Sequence, residues 1–193
     1  DYQTSFSLLK KSTYFERDDD LDLLARSYEL GMETYKDCEK AAYIFSTLID
    51  KKLLSKKNAA KLNDLGCQHY SKEEYARALA YFIKGREFKN TDSIYNMGLI
   101  YHYAKDVNKD LLKAKKYYLE VLALDTKYAY AYTQLAYLCY ELEEYDEVLK
   151  YVKSSYVKAV DKNYILGKLY QLGHGVEKDL DKALDYHMRA YKI

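Results

Sequence analysis

The chain has 193 residues, and its 49% apolar and 32% charged residues are typical of a folded domain rather than a disordered segment. Lys plus Arg number 31 and Asp plus Glu number 30, and this balance disfavours a nucleic-acid-binding surface. Pro is absent, only 7 Gly are present and Tyr reaches 25, so a turn-rich sandwich or barrel is excluded. No apolar run approaches the length of a membrane span, and we expect no membrane insertion.

Apolar residues recur with helical spacing along the whole chain. The spacing predicts a leading helix at residues 3–15, and Ser71 with Glu74 forms a capping-box pattern before a later one. Ten further helices are predicted, at 20–31, 37–51, 58–70, 72–88, 92–104, 110–124, 128–142, 144–159, 162–172 and 179–191.

A hexapeptide of the form K-D-x-x-K-A occurs three times, at residues 36–41, 109–114 and 178–183. In every copy a Tyr lies 13 residues before the Ala, and a small residue lies three residues before that Tyr. We expect the Asp of each copy to cap the second helix of a helix pair, because its carboxylate can accept from the first backbone N–H groups.

Two shorter units lie between these copies. In them a small residue, Gly66 or Ala136, is followed 12 residues later by Ala78 or Val148. Small residues at such positions indicate close helix crossings, where a larger side chain would overpack the contact. The small residues of all five units are Ala25, Gly66, Gly98, Ala136 and Gly167.

The short units resemble tetratricopeptide (TPR) repeats, and the long units resemble Sel1-like repeats, with the best copy at residues 167–190. The resemblance implies an all-α fold, a right-handed α-solenoid of antiparallel helix pairs. It implies one helical-repeat domain over residues 1–193, led by helix 3–15. The repeats are expected at about 20–54, 58–89, 92–126, 128–159 and 162–193.

In the families that the chain resembles, the first helices of the pairs line a concave face. Their inward positions lie three residues before the small residue, one after it, and four or five after it. Carried over, the resemblance gives Asn63, Cys67, Tyr70, Tyr95, Leu99, His102, Tyr103, Thr133, Tyr137, Tyr140, Tyr164, Lys168 and Gln171, with Tyr130 one turn earlier. Tyrosine suits recognition because it offers a large contact area with one polar tip. The competing interpretation is that many tyrosines only fill packing sites between helices.

No motif for catalysis, nucleotide binding or metal binding is present in the sequence. The four histidines, His69, His102, His174 and His187, occur in no metal-ligand pattern. The sequence therefore predicts a protein that is not an enzyme and that has no cofactor and no metal site.

The leading hypothesis is a non-enzymatic scaffold or adaptor that binds a protein or peptide on a tyrosine-rich concave face. The alternatives are a structural assembly subunit, as in a bacterial envelope or secretion complex, and a regulatory module of a larger protein. The odd number of cysteines favours a cytoplasmic location, and a periplasmic or secreted one fits if a signal peptide was removed. We also expect the chain to be a piece of a longer solenoid, with self-association possible through its terminal helices.

Overall fold

The computed structural model describes residues 18–31, 36–103 and 107–191. Within these ranges the regular secondary structure is helical. The ten α-helices there are α1 (Asp18–Leu30), α2 (Cys38–Thr47), α3 (Ala59–Ser71), α4 (Tyr75–Glu87), α5 (Thr91–Tyr103), α6 (Leu111–Leu124), α7 (Ala129–Glu141), α8 (Tyr145–Val152), α9 (Ala159–Leu172) and α10 (Leu180–Tyr191). Two short 3₁₀ turns, Lys51–Leu53 and Lys56–Asn58, join α2 to α3. The predicted helix at 3–15 lies outside the described residues.

The helices group into two compact units, which we call unit 1 (Asp1–Asp110) and unit 2 (Leu111–Ile193). In unit 1, α2 packs against α1 and α4, and α4 also contacts α3 and α5. In unit 2, α7 packs against α6 and α8, and α9 packs against α10 and α7. The prediction of one continuous domain over residues 1–193 stays a prediction.

The Asp of the hexapeptide ties the two helices of each long repeat together. In all three copies its backbone N–H donates to the carbonyl of the Tyr nine residues earlier, at 2.9 to 3.0 Å. These bonds join Asp37 to Tyr28, Asp110 to Tyr101 and Asp179 to Tyr170. The Asp37 and Asp179 carboxylates also accept from the backbone N–H three residues later, both at 2.9 Å. The predicted helix cap is thereby confirmed in the first and third copies.

The turns after the first helices use left-handed backbone. Gly31 and Gly173 occupy the same place in the first and third long repeats, with φ of 68° and 76°. In the two short units, Glu73 and Glu143 are left-handed in the turn after the first helix, with φ of 61° and 60°. A glycine takes this conformation without strain, whereas the glutamates take it because the tight turn requires it.

Four predicted helix bounds were wrong by three residues or more. α2 ends at Thr47 rather than at 51, and α9 begins at Ala159 rather than at 162. α4 begins at Tyr75 rather than at residue 72, and Ser71 is the last residue of α3, where its hydroxyl donates to a carbonyl of its own helix at 2.9 Å. The predicted capping box of Ser71 and Glu74 is therefore absent. α8 ends at Val152 instead of 159, because the Ser154 hydroxyl accepts from the Tyr156 N–H at 3.3 Å and stabilises a turn in place of the helix.

The small residues mark close helix crossings, as the sequence predicts. All five are buried: Ala25, Gly66, Gly98, Ala136 and Gly167. A Cβ at Gly66 would lie 2.4 Å from Phe82 Cε1, and one at Gly167 would lie 2.6 Å from His187 Cε1. Each glycine therefore lets an aromatic ring of the paired helix rest against its backbone.

Candidate functional site

The predicted contact residues of unit 2 come together along α7 and α9, which are the first helices of two successive repeats. They form a surface that we call the tyrosine–lysine face. Its predicted members are Tyr130, Tyr137 and Tyr140 on α7 with Tyr164, Lys168 and Gln171 on α9. The two helices pack side by side, so residues at equivalent positions of the two repeats reach each other.

Two lysines of this face lie over tyrosine rings. Lys168 Nζ is 5.3 Å from the ring centroid of Tyr140 and also 5.3 Å from that of Tyr164. Lys158, which precedes α9, places its Nζ 5.2 Å from the centroid of the Tyr130 ring. These distances are within the range of cation–π attraction. Tyr130 and Tyr164 remain 55% and 41% exposed, so their rings are accessible from solvent.

The Tyr137 hydroxyl joins the two helices in the middle of the face. It donates to Asp161 Oδ1 at 3.4 Å. Burial, the nearby Asp161 charge and this hydrogen bond raise the pKa of Tyr137 to about 12. The hydroxyl therefore keeps its proton near neutral pH and remains a donor.

Histidines border the face at its α10 side. The Tyr140 hydroxyl and His174 Nδ1 are 3.4 Å apart, and Gln171 Oε1 is 3.4 Å from His187 Nε2. The edge of the His187 ring also meets the Tyr164 ring, with centroids 6.2 Å apart. These contacts hold the aromatic rings of the face in defined positions.

Sequence reasoning missed Lys158, Asp161, His174 and His187 as members of this face. For Asp161 the signal was available, because it lies six residues before Gly167, as Tyr130 lies six before Ala136. Applying the offset of Tyr130 from its small residue to the next repeat would have identified Asp161. The other three are outside the repeat positions from which the face was predicted, and only side-chain contacts assign them.

Thr133 was expected on the face and contributes little to it. Its side chain is 9% exposed, and its hydroxyl donates to the Ala129 carbonyl one turn earlier in α7, at 3.4 Å. Its burial leaves little of the Thr133 side chain accessible to a ligand.

In unit 1 the same repeat positions form a polar seam between α3 and α5. The Asn96 side-chain amide donates to Asn63 Oδ1 at 2.9 Å and to Cys67 Sγ at 3.4 Å. The Ser93 hydroxyl lies 3.5 Å from the same Asn63 oxygen. Asn63 is thus half-buried and bonded across the repeat boundary, and Asn96 is a member of the seam that the sequence did not predict.

The remaining predicted residues of unit 1 differ in exposure. Tyr103 is 49% exposed, and Tyr70, Tyr95 and Leu99 are half-buried. Tyr70 packs edge-on against Tyr75, and burial raises its pKa.

The prediction that His102 lies on the accessible face was wrong, because its side chain is 0% exposed. The Tyr103 ring lies over the His102 ring, with centroids 3.9 Å apart. His102 belongs to the core of unit 1.

Unit 1 also contains a charged cleft of about 530 Å³ near the ends of α1 and α3. Several of its charges are paired: His69 Nδ1 is 2.5 Å from Glu74 Oε2, and Arg77 lies 3.2 Å from Asp22 Oδ1. The His69 ring also stacks on Tyr81. This pairing gives the cleft a role in holding the helix ends together.

Across residues 18–31, 36–103 and 107–191, His, Cys, Asp and Glu nowhere form a group of three that could hold a metal ion. A search of the same ranges finds no helix long and apolar enough to cross a membrane.

A family model described as the Sel1 repeat matches residues 22–51, 91–120 and 163–192. These matches fall on the three long units that carry the K-D-x-x-K-A hexapeptide. Over these three stretches the chain is similar to the Sel1 repeat family. Sel1 repeats are generally protein–protein interaction modules and typically serve as non-enzymatic scaffolds.

Solved structures of Sel1-repeat proteins share the fold. The crystal structure of c5321, a protective antigen of uropathogenic Escherichia coli strains with an SLR fold, is 22% identical with a TM-score of 0.57. That match covers 90% of this chain and 38% of c5321, so this chain spans about two fifths of that protein. A Sel1 repeat protein from Oxalobacter formigenes is 22% identical with a TM-score of 0.52, over 99% of this chain and 79% of that one. No curated protein matches this chain.

These likenesses confirm the predicted fold class, an all-α solenoid of antiparallel helix pairs. The Sel1 matches also leave two stretches, around α3–α4 and α7–α8, to the TPR-like short units. The tyrosine–lysine face is therefore formed by α7 of a short unit and by α9, most of which lies in the third Sel1 match.

Proposed function

We propose that this chain is a non-enzymatic scaffold or adaptor that binds a peptide or protein on the tyrosine–lysine face. The observation that carries the proposal is the side-by-side placement of exposed tyrosine rings from two successive repeats, with lysines held over them. Tyrosine is enriched where proteins bind one another.

The rings of this face are held in place before a ligand arrives. Tyr137 is bonded to Asp161, Tyr140 contacts His174, and Lys168 lies between two rings. Binding a ligand on such a surface freezes few additional rotamers, so more of the contact energy appears as affinity. In unit 1, the partly exposed Asn63, Tyr70, Tyr95 and Tyr103 stay predicted contact residues.

A displayed library of random 12-residue peptides, selected against the immobilised chain, tests this proposal. We expect selected peptides to lose about tenfold or more in affinity with Tyr137→Ala or Tyr164→Ala, because each substitution removes a large ring from the face. Tyr43→Ala is the matched control, since Tyr43 is a 69% exposed tyrosine on α2. Peptides that bind both variants as tightly as the unmodified chain would place the site elsewhere.

A second function, assembly with a further copy of this chain, is supported by the exposed face of α10. Leu180, Leu184, Met188 and Tyr191 form one helical stripe, and their exposures are 60%, 61%, 47% and 95%. The corresponding positions of the first hexapeptide copy are Cys38, Ala42, Ser46 and Ile49, and all four are buried. α2 packs against α4 there, so the repeat pattern provides a covering helix for this stripe.

The ends of α10 carry opposite charges, with Asp181 in the first turn and Arg189 in the last turn. Two copies of α10 packed antiparallel would bring the acidic end of each near the basic end of the other, with opposed helix dipoles. This complementarity supports a second copy as the covering partner.

Sedimentation and light scattering of the purified chain test this assembly. We expect a concentration-dependent dimer that Leu184→Glu converts to monomer, because the substitution places a charge in the apolar stripe. Leu112→Glu is the control, since Leu112 is a 70% exposed leucine on α6. A monomer at high micromolar concentration would contradict the assembly function.

A further inference from the structure

The two lysines of the tyrosine–lysine face are positioned to accept anionic groups. Within the part of the chain that the structure describes, neither Lys158 nor Lys168 forms an ion pair, and each lies over aromatic rings. Other lysines in the same unit are neutralised, as Lys182 is by Asp179 at 3.0 Å. Lys168 is half-buried, and partial burial strengthens its attraction for an incoming carboxylate.

The distance between these two cations follows from helix geometry. Lys158 directly precedes α9 and Lys168 lies ten residues later along it. At 1.5 Å per residue this separation is about 15 Å along the helix axis. An extended peptide rises about 3.3 Å per residue and alternates the faces of its side chains, so two side chains on one face that reach both lysines lie four residues apart.

Asp161 occupies the interval between the two cations. It lies on α9 between Lys158 and Lys168, and its carboxylate already accepts from the Tyr137 hydroxyl. A third carboxylate bound at this place would be repelled by Asp161, whereas a neutral or basic side chain would not. The charge order along the face is therefore positive, negative, positive.

We propose that the tyrosine–lysine face selects an acidic peptide segment in which two carboxylates, four residues apart, flank neutral or basic residues. This inference rests on the proposed peptide-binding function and adds the chemistry of the ligand. The two outer carboxylates pair with Lys158 and Lys168, and the intervening residues lie on the Tyr137 and Tyr164 rings. The pattern differs from capture of a chain terminus, because both anions are side chains.

The peptides selected from the random 12-residue library provide the first test. We expect Asp and Glu to be enriched at two positions four residues apart, and we expect affinity to fall as salt is raised. Replacing both acids of a selected peptide by Asn or Gln should weaken binding at least about tenfold, and moving them to a spacing of two should weaken it similarly.

Substitutions on the protein side separate charge from shape. Lys168→Met keeps a long apolar stem but removes the ammonium, and we expect about a five- to tenfold loss of affinity for the acidic peptide. Lys182→Met is the matched control, because Lys182 also lies over a tyrosine ring, 5.4 Å from the Tyr170 centroid, yet is paired with Asp179. Lys168→Glu should reverse the preference toward a peptide with Lys at the corresponding position.

The possible outcomes distinguish this inference from the function on which it rests. Peptides that need Tyr137 and Tyr164 but show no acidic enrichment, and that bind Lys168→Met unchanged, would overturn the charge pattern and leave peptide binding intact. If no selected peptide is sensitive to Tyr137→Ala or Tyr164→Ala, the proposed function and the inference both fail. Circular dichroism of each variant verifies that the helices are retained.

Discussion

Units 1 and 2 use the same repeat position for different chemistry. One residue after the small residue, α3 carries Cys67 and α7 carries Tyr137. Cys67 accepts from Asn96 at 3.4 Å in a polar seam, whereas Tyr137 donates to Asp161 at 3.4 Å beside exposed rings. Both contacts join the first helices of successive repeats. The comparison teaches that the small residues set the helix crossing, and that the neighbouring positions are left to vary with function.

The residue before the second helix of each short unit also differs in the ion pair that it forms. Glu74 and Glu144 both lie eight residues after their small residue. Glu74 pairs with His69 of the preceding helix of its own unit, whereas Glu144 pairs with Lys115 on α6. The same repeat position thus forms a different ion pair in each of the two short units.

The largest expected effect is on the free energy of unfolding, and it distinguishes the close helix crossing at Gly66 from the one at Gly167. Gly66→Leu and Gly167→Leu should each lower the free energy of unfolding, by about 1–3 kcal/mol or more, through overpacking. The loss should be greater at Gly66, because the facing Phe82 ring is 0% exposed and cannot move aside, whereas His187 is half-buried.

Urea unfolding followed by circular dichroism measures both values. Lys61→Leu, at an exposed position of α3, serves as the control. A larger loss at Gly167 would show that the His187 ring is as tightly confined as the Phe82 ring.

The next effect concerns the position three residues before the small residue. Asn63→Ala removes the acceptor of the Asn96 amide and should lower the free energy of unfolding by about 0.5–1.5 kcal/mol. Thr133→Ala, at the equivalent position of unit 2, should cost less, because the Thr133 hydroxyl bonds only within its own helix. Asn63→Asp retains the acceptor and is the control in the same urea experiment. Equal losses of unfolding free energy for Asn63→Ala and Thr133→Ala would contradict this difference between the two positions.

Tyr137→Phe has a smaller expected effect on stability, and it separates the contribution of the ring from that of the hydroxyl. The substitution removes a 3.4 Å hydrogen bond of a half-buried group, so the free energy of unfolding should fall by only about 0.5 kcal/mol. Peptide affinity should also change little, because the ring remains. A loss of affinity as large as that of Tyr137→Ala would show that the hydroxyl, rather than the ring, contacts the ligand.

The smallest expected effect is a pH dependence confined to acid solution. The hydrogen bond from His69 holds the pKa of Glu74 below its ordinary value of 4.5 in the folded chain. A lowered folded pKa means that this stabilisation is present above about pH 4.5 and is lost as the pH falls through the folded pKa. Glu74→Gln should therefore flatten the fall of the urea midpoint below about pH 4.5. Unchanged steepness in that variant would assign the acid sensitivity to other carboxylates.

The sequence predicted most of the helices because the signals that define them are local. Periodicity, the hexapeptide Asp and the small residues act within one or two turns, and nine of the ten predicted helices end within four residues of the described bounds. The exception is α8, where the Ser154 turn ends the helix early. The placement of Tyr137, Tyr140 and Tyr164 on one face was implied by the resemblance to TPR and Sel1-like repeats.

By itself, the sequence determined the paired-helix repeats, because the Asp cap, the left-handed Gly and the apolar stripe each involve neighbouring residues. Only the tertiary structure decided which side chains remain accessible, since burial depends on the helix packed alongside. His102 and Thr133 have the same repeat spacing as exposed members of the face, yet both are buried. The pairing of Tyr137 with Asp161 and the contact of Lys168 with the Tyr140 ring are likewise contacts between repeats. They arise from side chains 24 and 28 residues apart along the chain, and no local pattern encodes them.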